Sequence, residues 1–269
     1  MFQLQRGSKI LLIANIIVFV VAFFLQKFQN FDLTHYLGLY YVESSYFHPY
    51  QYFTYMFMHA GFMHIFFNMY ALFMFGTIIE RVWGTKRFMF YYLVTGIGAA
   101  LVNTLVNYWQ FAPISDALNT FLASPSASTL EAVTQKCDNF NLPAVYEIID
   151  HWNEFTASHN FLEHLKSEVV KAVSNYMNVP MVGASGAVFG LLLAFAVMFP
   201  DMKLQIIFIP IGIKAKYFVL LYGLAELFFG INDFNGDNVA HWAHLGGLLV
   251  GIVLILIWRR YPGNSFFNK

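Results

Sequence analysis

Four polar side chains in otherwise apolar stretches of this sequence are of types that can do chemistry. They are His64 and Asn68, four residues apart, Ser185 in "MVGASGAVFG", and His244 in "AHLGGLLVG". A serine hydroxyl becomes a nucleophile when an imidazole within hydrogen-bond reach takes its proton, and nearby N–H donors stabilise the oxyanion that forms. Burying such groups in a membrane is costly, so each is a functional candidate. Together they are typical of nucleophilic catalysis by a serine.

Each group also has a purely structural explanation. A lone serine in a membrane helix commonly bonds the carbonyl four residues earlier, and His64 could simply bond Asn68. Counted at about 1.5 Å per residue, however, all four groups lie roughly 6–12 Å below the outer ends of three separate apolar segments. This common depth favours the catalytic interpretation.

Glycines predict that the helices carrying the serine and His244 approach closely. Gly247 and Gly251 stand three and seven residues after His244, on the same helical stripe. Small residues on such a stripe allow near contact between backbones in a bilayer. The segment around the serine offers further glycines at positions 183, 186 and 190.

A metal site is the main rival chemistry. His241 and His244 are three residues apart, and His59 and His64 lie at a similar depth. Zinc sites take three or four ligands, however, and Glu226 is the one acidic residue near this level. The sequence therefore predicts no metal and no cofactor, with Glu226 as a buried hydrogen-bond partner and His241 and His59 in supporting roles.

The composition indicates a polytopic helical membrane protein. Of 269 residues, 58% are hydrophobic and 11% are charged, and the apolar residues fall into runs long enough to cross a bilayer. The net charge of zero suggests no nucleic-acid partner, and the single cysteine, Cys137, excludes an internal disulfide and a cysteine-based metal site. Six spans are predicted, at about 10–26, 60–79, 88–107, 181–199, 215–231 and 239–258. The first is expected to be an uncleaved span rather than a signal peptide.

The lysines and arginines of the short loops predict the orientation. If six spans alternate, these cations lie on one side, and the short loops of the other side contain only Lys27. The excess marks the cytoplasmic face, so both termini are predicted to be cytoplasmic.

Residues 108–179 differ in kind from the apolar spans. They hold eight acidic residues against three lysines, and apolar residues recur at helical spacing. We expect two or three amphipathic helices in an extracytoplasmic insertion, which either packs on itself or recognises substrate. The predicted domains are thus a membrane domain, 1–107 and 180–269, and the helical insertion, 108–179.

The polar motifs, taken in order, resemble the rhomboid family of intramembrane serine proteases. The second span reads "HAGFMHIFFNM", the fourth "GASG" and the sixth "AHLGGLLVG", while "ERVWG" at 80–84 ends the second span. The resemblance covers all but the 108–179 region. It implies an all-α bundle of six transmembrane helices.

The resemblance also implies the roles of the site residues. Ser185 would be the nucleophile and His244 its general base, without the carboxylate of soluble serine proteases. His64, Asn68 and the Ser185 N–H would form the oxyanion hole, with Gly183 shaping that backbone. The substrate would be a transmembrane segment cut near its outer end, and a mobile fifth span with the loop 232–239 would act as the gate.

The sequence departs from the family pattern in two places. Phe189 stands one turn after the serine, where many bacterial rhomboids have tyrosine, so it can stack on His244 but cannot hydrogen-bond. The insertion 108–179 is also unusual.

A catalytically silent rhomboid-like protein that binds membrane clients is the alternative function, and the presence of both Ser185 and His244 argues against it. A transporter would instead need a polar path through the midplane of the membrane.

Overall fold

The computed structural model describes residues 3–137, 140–205, 212–232 and 239–260. The contacts divide the chain into two compact units. One unit contains Met1–Leu39, His48–Asn103 and Pro180–Lys269, and the other contains Tyr40–Phe47 and Thr104–Val179.

Long apolar helices dominate the first unit. They are α1 (Arg6–Gln29), α4 (Phe62–Ala71), α5 (Thr77–Trp83), α6 (Thr85–Ala123), α11 (Ser185–Met198), α12 (Ala215–Asn232) and α13 (His241–Arg260). Two single-turn helices, α2 (Thr34–Leu37) and α3 (Gln51–Thr54), and a 3₁₀ turn, Tyr55–Phe57, precede α4. A π-helical turn, Leu72–Gly76, joins α4 to α5, so that one continuous helix runs over Phe62–Trp83.

Among the described residues, five helices are long and apolar enough to cross a membrane. They are Arg6–Gln29, Phe62–Trp83, Thr85–Ala123, Ala215–Asn232 and His241–Arg260, and α11 is a shorter apolar helix of 14 residues. The prediction of an all-α polytopic membrane bundle is confirmed. In the fourth span, predicted at about 181–199, the helix starts at Ser185. Before it, Met181 pairs with Leu39 through two backbone hydrogen bonds of 2.8 and 2.9 Å.

A short hairpin departs from the all-helical prediction. Strands β1 (Lys203–Gln205) and β2 (Gly212–Lys214) are antiparallel, with Leu204 opposite Ile213. The exposed Asp201 carboxylate accepts hydrogen bonds from Lys214 at 3.0 Å and Lys216 at 2.9 Å, which ties β2 and the start of α12 to the end of the α11 segment.

Glu80 connects the start of α1 to α5. Its side chain is 2% exposed and accepts hydrogen bonds from the N–H of Gly7 at 2.6 Å and the N–H and hydroxyl of Ser8 at 2.7 and 2.8 Å. The hydroxyl of Thr85 donates a further bond at 2.7 Å. These donors include first-turn N–H groups that a helix itself cannot satisfy, so the buried carboxylate acts as an N-terminal cap supplied from another helix.

Glycines set the spacing between α11 and α13. A side chain at Gly247 would overlap the carbonyl of Gly186, and one at Gly251 would lie 3.5 Å from Cα of Gly190. The two backbones therefore touch directly, as the predicted glycine stripes require. The neighbouring helix α6 also packs closely against α11, since Gly186 faces Ala99.

The second unit has its own apolar core. It contains the end of α6 and the helices α7 (Ala127–Thr134), α8 (Leu142–Asp150), α9 (Trp152–Thr156) and α10 (His159–Met177). The sequence predicts two or three helices after a third span ending at 107, but α6 continues to Ala123, and a break at His151 separates α8 from α9. Ser126 begins α7 with a reciprocal capping box to Thr129. The most buried side chains of this core are Phe121, Leu130, Val133, Cys137, Val169 and Val173.

Replacing Gly247 by alanine is expected to destabilise the protein. The added methyl would meet the backbone of Gly186, which cannot move aside without separating the helices, so we expect a loss of about 1–3 kcal/mol in the free energy of unfolding. Denaturant-induced unfolding in detergent measures this loss. Gly223→Ala is the matched control, because its methyl would meet only the flexible end of Leu248 at 3.2 Å. Equal stability of the two variants would contradict the packing argument.

Candidate active site

Ser185 is the first residue of α11, and the loop before it is held by backbone bonds. The N–H of Gly183 donates to the carbonyl of Tyr55 at 3.0 Å, and the hydroxyl of Tyr55 donates to the carbonyl of Gly96 at 2.7 Å. Gly183 has φ of +124°, which residues with a side chain rarely adopt. Ser185 lies in the first turn of α11, where N–H groups have no partner within their own helix and can bind an anion.

His244 on α13 faces this serine. Its Nε2 lies 2.8 Å from the Ser185 hydroxyl oxygen, and the residue is 8% exposed. The ring of Phe189 stacks on the imidazole, with centroids 4.2 Å apart and planes 9° from parallel. A hydroxyl bonded to a buried imidazole that is held by packing is the arrangement that a serine nucleophile requires.

His64 on α4 lies next to Gly183, two residues before the serine. A methyl group at position 183 would lie 2.7 Å from Nε2 of His64 and 3.6 Å from the serine oxygen, so only glycine leaves room for this imidazole. Nδ1 of His64 accepts a weak hydrogen bond from the N–H of Ala60 at 3.4 Å. A neutral imidazole that accepts at Nδ1 carries its proton on Nε2, the nitrogen beside Gly183.

Asn68 is buried, but its amide is partly engaged elsewhere. Its Nδ2 donates to the backbone carbonyl of His64 at 2.9 Å, one helical turn away. An amide carries two N–H groups, so one remains for another acceptor. The structure thus places His64 beside Gly183, two residues before the serine, and engages one N–H of Asn68 within α4.

His59 packs against His64 from the loop before α4. The two rings meet edge to face, with centroids 5.1 Å apart. Burial, with a smaller effect of the neighbouring His64, lowers the pKa of His59 to about 4, so its imidazole is neutral at physiological pH. A neutral, buried ring at this position supports His64 by packing.

Glu226 on α12 contacts both histidines at the start of α13. Its Oε2 lies 2.6 Å from Nδ1 of His241 and 2.9 Å from Nδ1 of His244, and the side chain is buried. The prediction that this residue is a buried hydrogen-bond partner is therefore confirmed. One ligand atom from each of the three residues lies within 4.8 Å of the others, which is the nearest approach to a metal-binding cluster among the described residues.

Two residues that hold the serine loop were not identified from the sequence. Leu39 pairs with Met181, and Tyr55 receives the Gly183 N–H, yet neither carries a reactive group. The aromatic stretch before the second span was the available signal. The predicted gating loop, 232–239, falls largely on residues 233–238, which lie outside the described part of the chain.

Comparisons with known proteins indicate which family the chain belongs to. A family model described as Rhomboid domain matches residues 46–138 and 155–261, which include all the residues of the site. The chain is also similar to the protein named Rhomboid protease AarA from Providencia stuartii, with 39% identity over 62 residues. That match covers 23% of this chain and 21% of the relative, so the chain spans about a fifth of the length of the curated protein it matches.

Proposed function

This chain belongs to the rhomboid family, and from that premise we propose that it is an intramembrane serine endopeptidase. Its substrate would be a membrane protein, cut in or beside a transmembrane segment near the outer end of that segment. The single observation that carries the proposal is the hydrogen bond of 2.8 Å between Ser185 and His244, which joins two apolar helices. The printed name of the relative from Providencia stuartii, a rhomboid protease, supports the same activity.

The first half of the reaction forms an acyl-enzyme. As the Ser185 oxygen attacks the carbonyl carbon of the substrate, its proton passes to Nε2 of His244. The tetrahedral intermediate then collapses, the C–N bond breaks, and the same proton goes to the leaving amine. The stacked ring of Phe189 keeps the imidazole in line for both transfers.

The carbonyl oxygen becomes negatively charged in that intermediate. The N–H of Ser185, in the first turn of α11, and Nε2 of His64, beside Gly183, would donate to it. Asn68 would add its remaining N–H or orient the turn that carries His64. These donors lie on helices and on a loop held by backbone hydrogen bonds. The protein therefore needs to reorganise little as the negative charge develops.

The second half of the reaction needs water. His244 takes a proton from a water molecule, the resulting hydroxide attacks the acyl carbon, and the Ser185 oxygen leaves with the proton returned from Nε2. Serine and imidazole are regenerated, and no cofactor takes part.

The proposed orientation has both termini in the cytoplasm and the insertion, 108–179, outside. The arginines and lysines of the short loops support it, including Arg81, Lys203 and Lys214. The site then opens toward the outer face of the membrane. The insertion, the proposed second domain, enters the chain just before the serine segment and is available either to restrict access or to recruit substrate.

Ser185→Ala and His244→Ala are each expected to abolish cleavage of a transmembrane substrate reconstituted with the protein in liposomes. The first substitution removes the nucleophile and the second removes its base. Alanine is smaller than either residue, so neither substitution adds bulk to the packed helices. Product formation is followed by gel electrophoresis and mass spectrometry. Ser158→Ala, which changes an exposed serine of the insertion, is the control and should cleave at the wild-type rate. Full activity of Ser185→Ala would overturn the proposal, and an inactive wild-type protein would favour the client-binding alternative.

His64→Ala and Asn68→Ala are each expected to slow cleavage by about 10–1000-fold, the range for loss of one oxyanion donor. Since the lost contact forms with the developing charge, kcat should fall with little change in KM. Steady-state kinetics on the same substrate measure both constants. His164→Ala, in the exposed face of α10, is the control. Unchanged kcat in both variants would exclude this oxyanion assignment while leaving the serine assignment intact.

A further inference from the structure

The buried carboxylate of Glu226 lies on the far side of the His244 ring from the serine. Nε2 of His244 is 2.8 Å from the hydroxyl oxygen of Ser185, and Nδ1 of the same ring is 2.9 Å from Oε2 of Glu226. The order hydroxyl, imidazole, carboxylate is that of a serine-protease triad. The three residues come from α11, α13 and α12, so the arrangement arises only in the packed bundle.

We propose, on the basis of the proposed function, that Glu226 is a positioning residue for His244 and completes a Ser185–His244–Glu226 triad. The family resemblance implies a pair without a carboxylate, whereas in this chain Glu226 of α12 places one beside His244. Glu226 touches no reacting atom and acts through the imidazole.

The first argument is the state of Nδ1 on His244. This nitrogen is buried and, within the described residues, has no well-aligned hydrogen-bond acceptor, although Oε2 of Glu226 is 2.9 Å away. A small rotation of either side chain would align the N–H with the carboxylate. Catalytic hydrogen bonds are often poorly aligned before substrate binds and tighten in the complex. With its proton on Nδ1, the ring presents the Nε2 lone pair to the serine.

The second argument is charge. When the serine proton reaches Nε2, the imidazole becomes a cation inside an apolar helical bundle, where an unpaired charge is costly. A carboxylate in contact with Nδ1 stabilises that cation more than it would in water, because the local dielectric constant is low. The benefit arises as the transition state forms, so it raises kcat.

His241 gives the carboxylate a fixed direction. Its Nδ1 lies 2.6 Å from the same Oε2, and its ring stacks with Phe229 at a centroid distance of 5.7 Å. One oxygen of Glu226 is thereby held between two imidazoles of α13. His241, predicted to have a supporting role, would support the triad by orienting its acid.

A divalent cation is the other occupant that two histidines and a glutamate could attract. Ligand atoms around a tetrahedral zinc ion stand about 3.3 Å apart, given bonds of about 2.0–2.1 Å. The contacts of 2.6 and 2.9 Å between Oε2 and the two Nδ1 atoms are shorter than this and are typical of shared protons. The geometry therefore favours the triad over a metal site.

The test compares Glu226→Gln and Glu226→Asp with wild type on the reconstituted substrate. The glutamine is isosteric but uncharged, and we expect kcat to fall by about 10²–10⁴-fold, as on loss of the acid in soluble serine proteases, while KM changes by less than about threefold. The aspartate keeps the charge on a shorter side chain, so its kcat should lie between those of wild type and the glutamine variant.

Glu80→Gln is the matched control, since among the described residues Glu80 is the other buried glutamate, and its side chain accepts hydrogen bonds from Gly7, Ser8 and Thr85. It should lower the thermal unfolding midpoint without lowering kcat per folded molecule. The inference would be overturned if the activity of Glu226→Gln falls only in proportion to the amount of folded protein. A kcat near that of wild type would also overturn it. Activity that falls on treatment with EDTA and returns with zinc would replace it with a metal site.

Ser185→Ala is assayed alongside to separate the two proposals. Wild-type cleavage equal to that of Ser185→Ala would overturn the proposed function, and this inference with it. An inactive Ser185→Ala beside a fully active Glu226→Gln would overturn the triad alone.

Discussion

The direct contact between the backbones of α11 and α13 is the constraint on which the rest of the site depends. Apolar side chains gain little by leaving lipid for another helix, so membrane helices associate through close van der Waals packing of small residues. Gly186 and Gly247 provide that contact, and a methyl group at either position would meet the neighbouring α6 or α11. At this separation, a serine and a histidine on facing helices come within 2.8 Å. The packing of small residues and the hydrogen bond are thus two parts of one arrangement.

Buried carboxylates supply the second kind of connection between the helices. Glu80 satisfies the first-turn N–H groups of α1, and Glu226 joins α12 to the two histidines of α13. A charge within apolar surroundings persists only where several donors meet it, so each carboxylate fixes the helices that supply those donors. Glu80 does this away from the serine. Glu226 does it beside His244, the proposed base, where the same interaction would also affect the chemistry.

The sequence allowed much of this to be predicted, because depth and glycine spacing are local properties. That Ser185 and His244 face each other could be predicted from their common depth, counted along the three apolar segments, and from the glycines three and seven residues after His244. The start of α11 could not be predicted, since it depends on pairing with Leu39, far away in the chain. That Glu226 contacts a second histidine could not be predicted either, because packing sets the rotation of α12 about its axis. The amide of Asn68 was expected to face the serine, but its bond to the His64 carbonyl competes for it.

The central claim is that Ser185 is an activated nucleophile, and the most direct test is to find where a serine-directed covalent inhibitor attaches. The protein in detergent micelles or liposomes is treated with a fluorophosphonate, digested and mapped by mass spectrometry. Our account predicts a single adduct on Ser185, because only that hydroxyl among the described serines is bonded to a histidine. An adduct on another serine, or none while the protein remains folded, would contradict it.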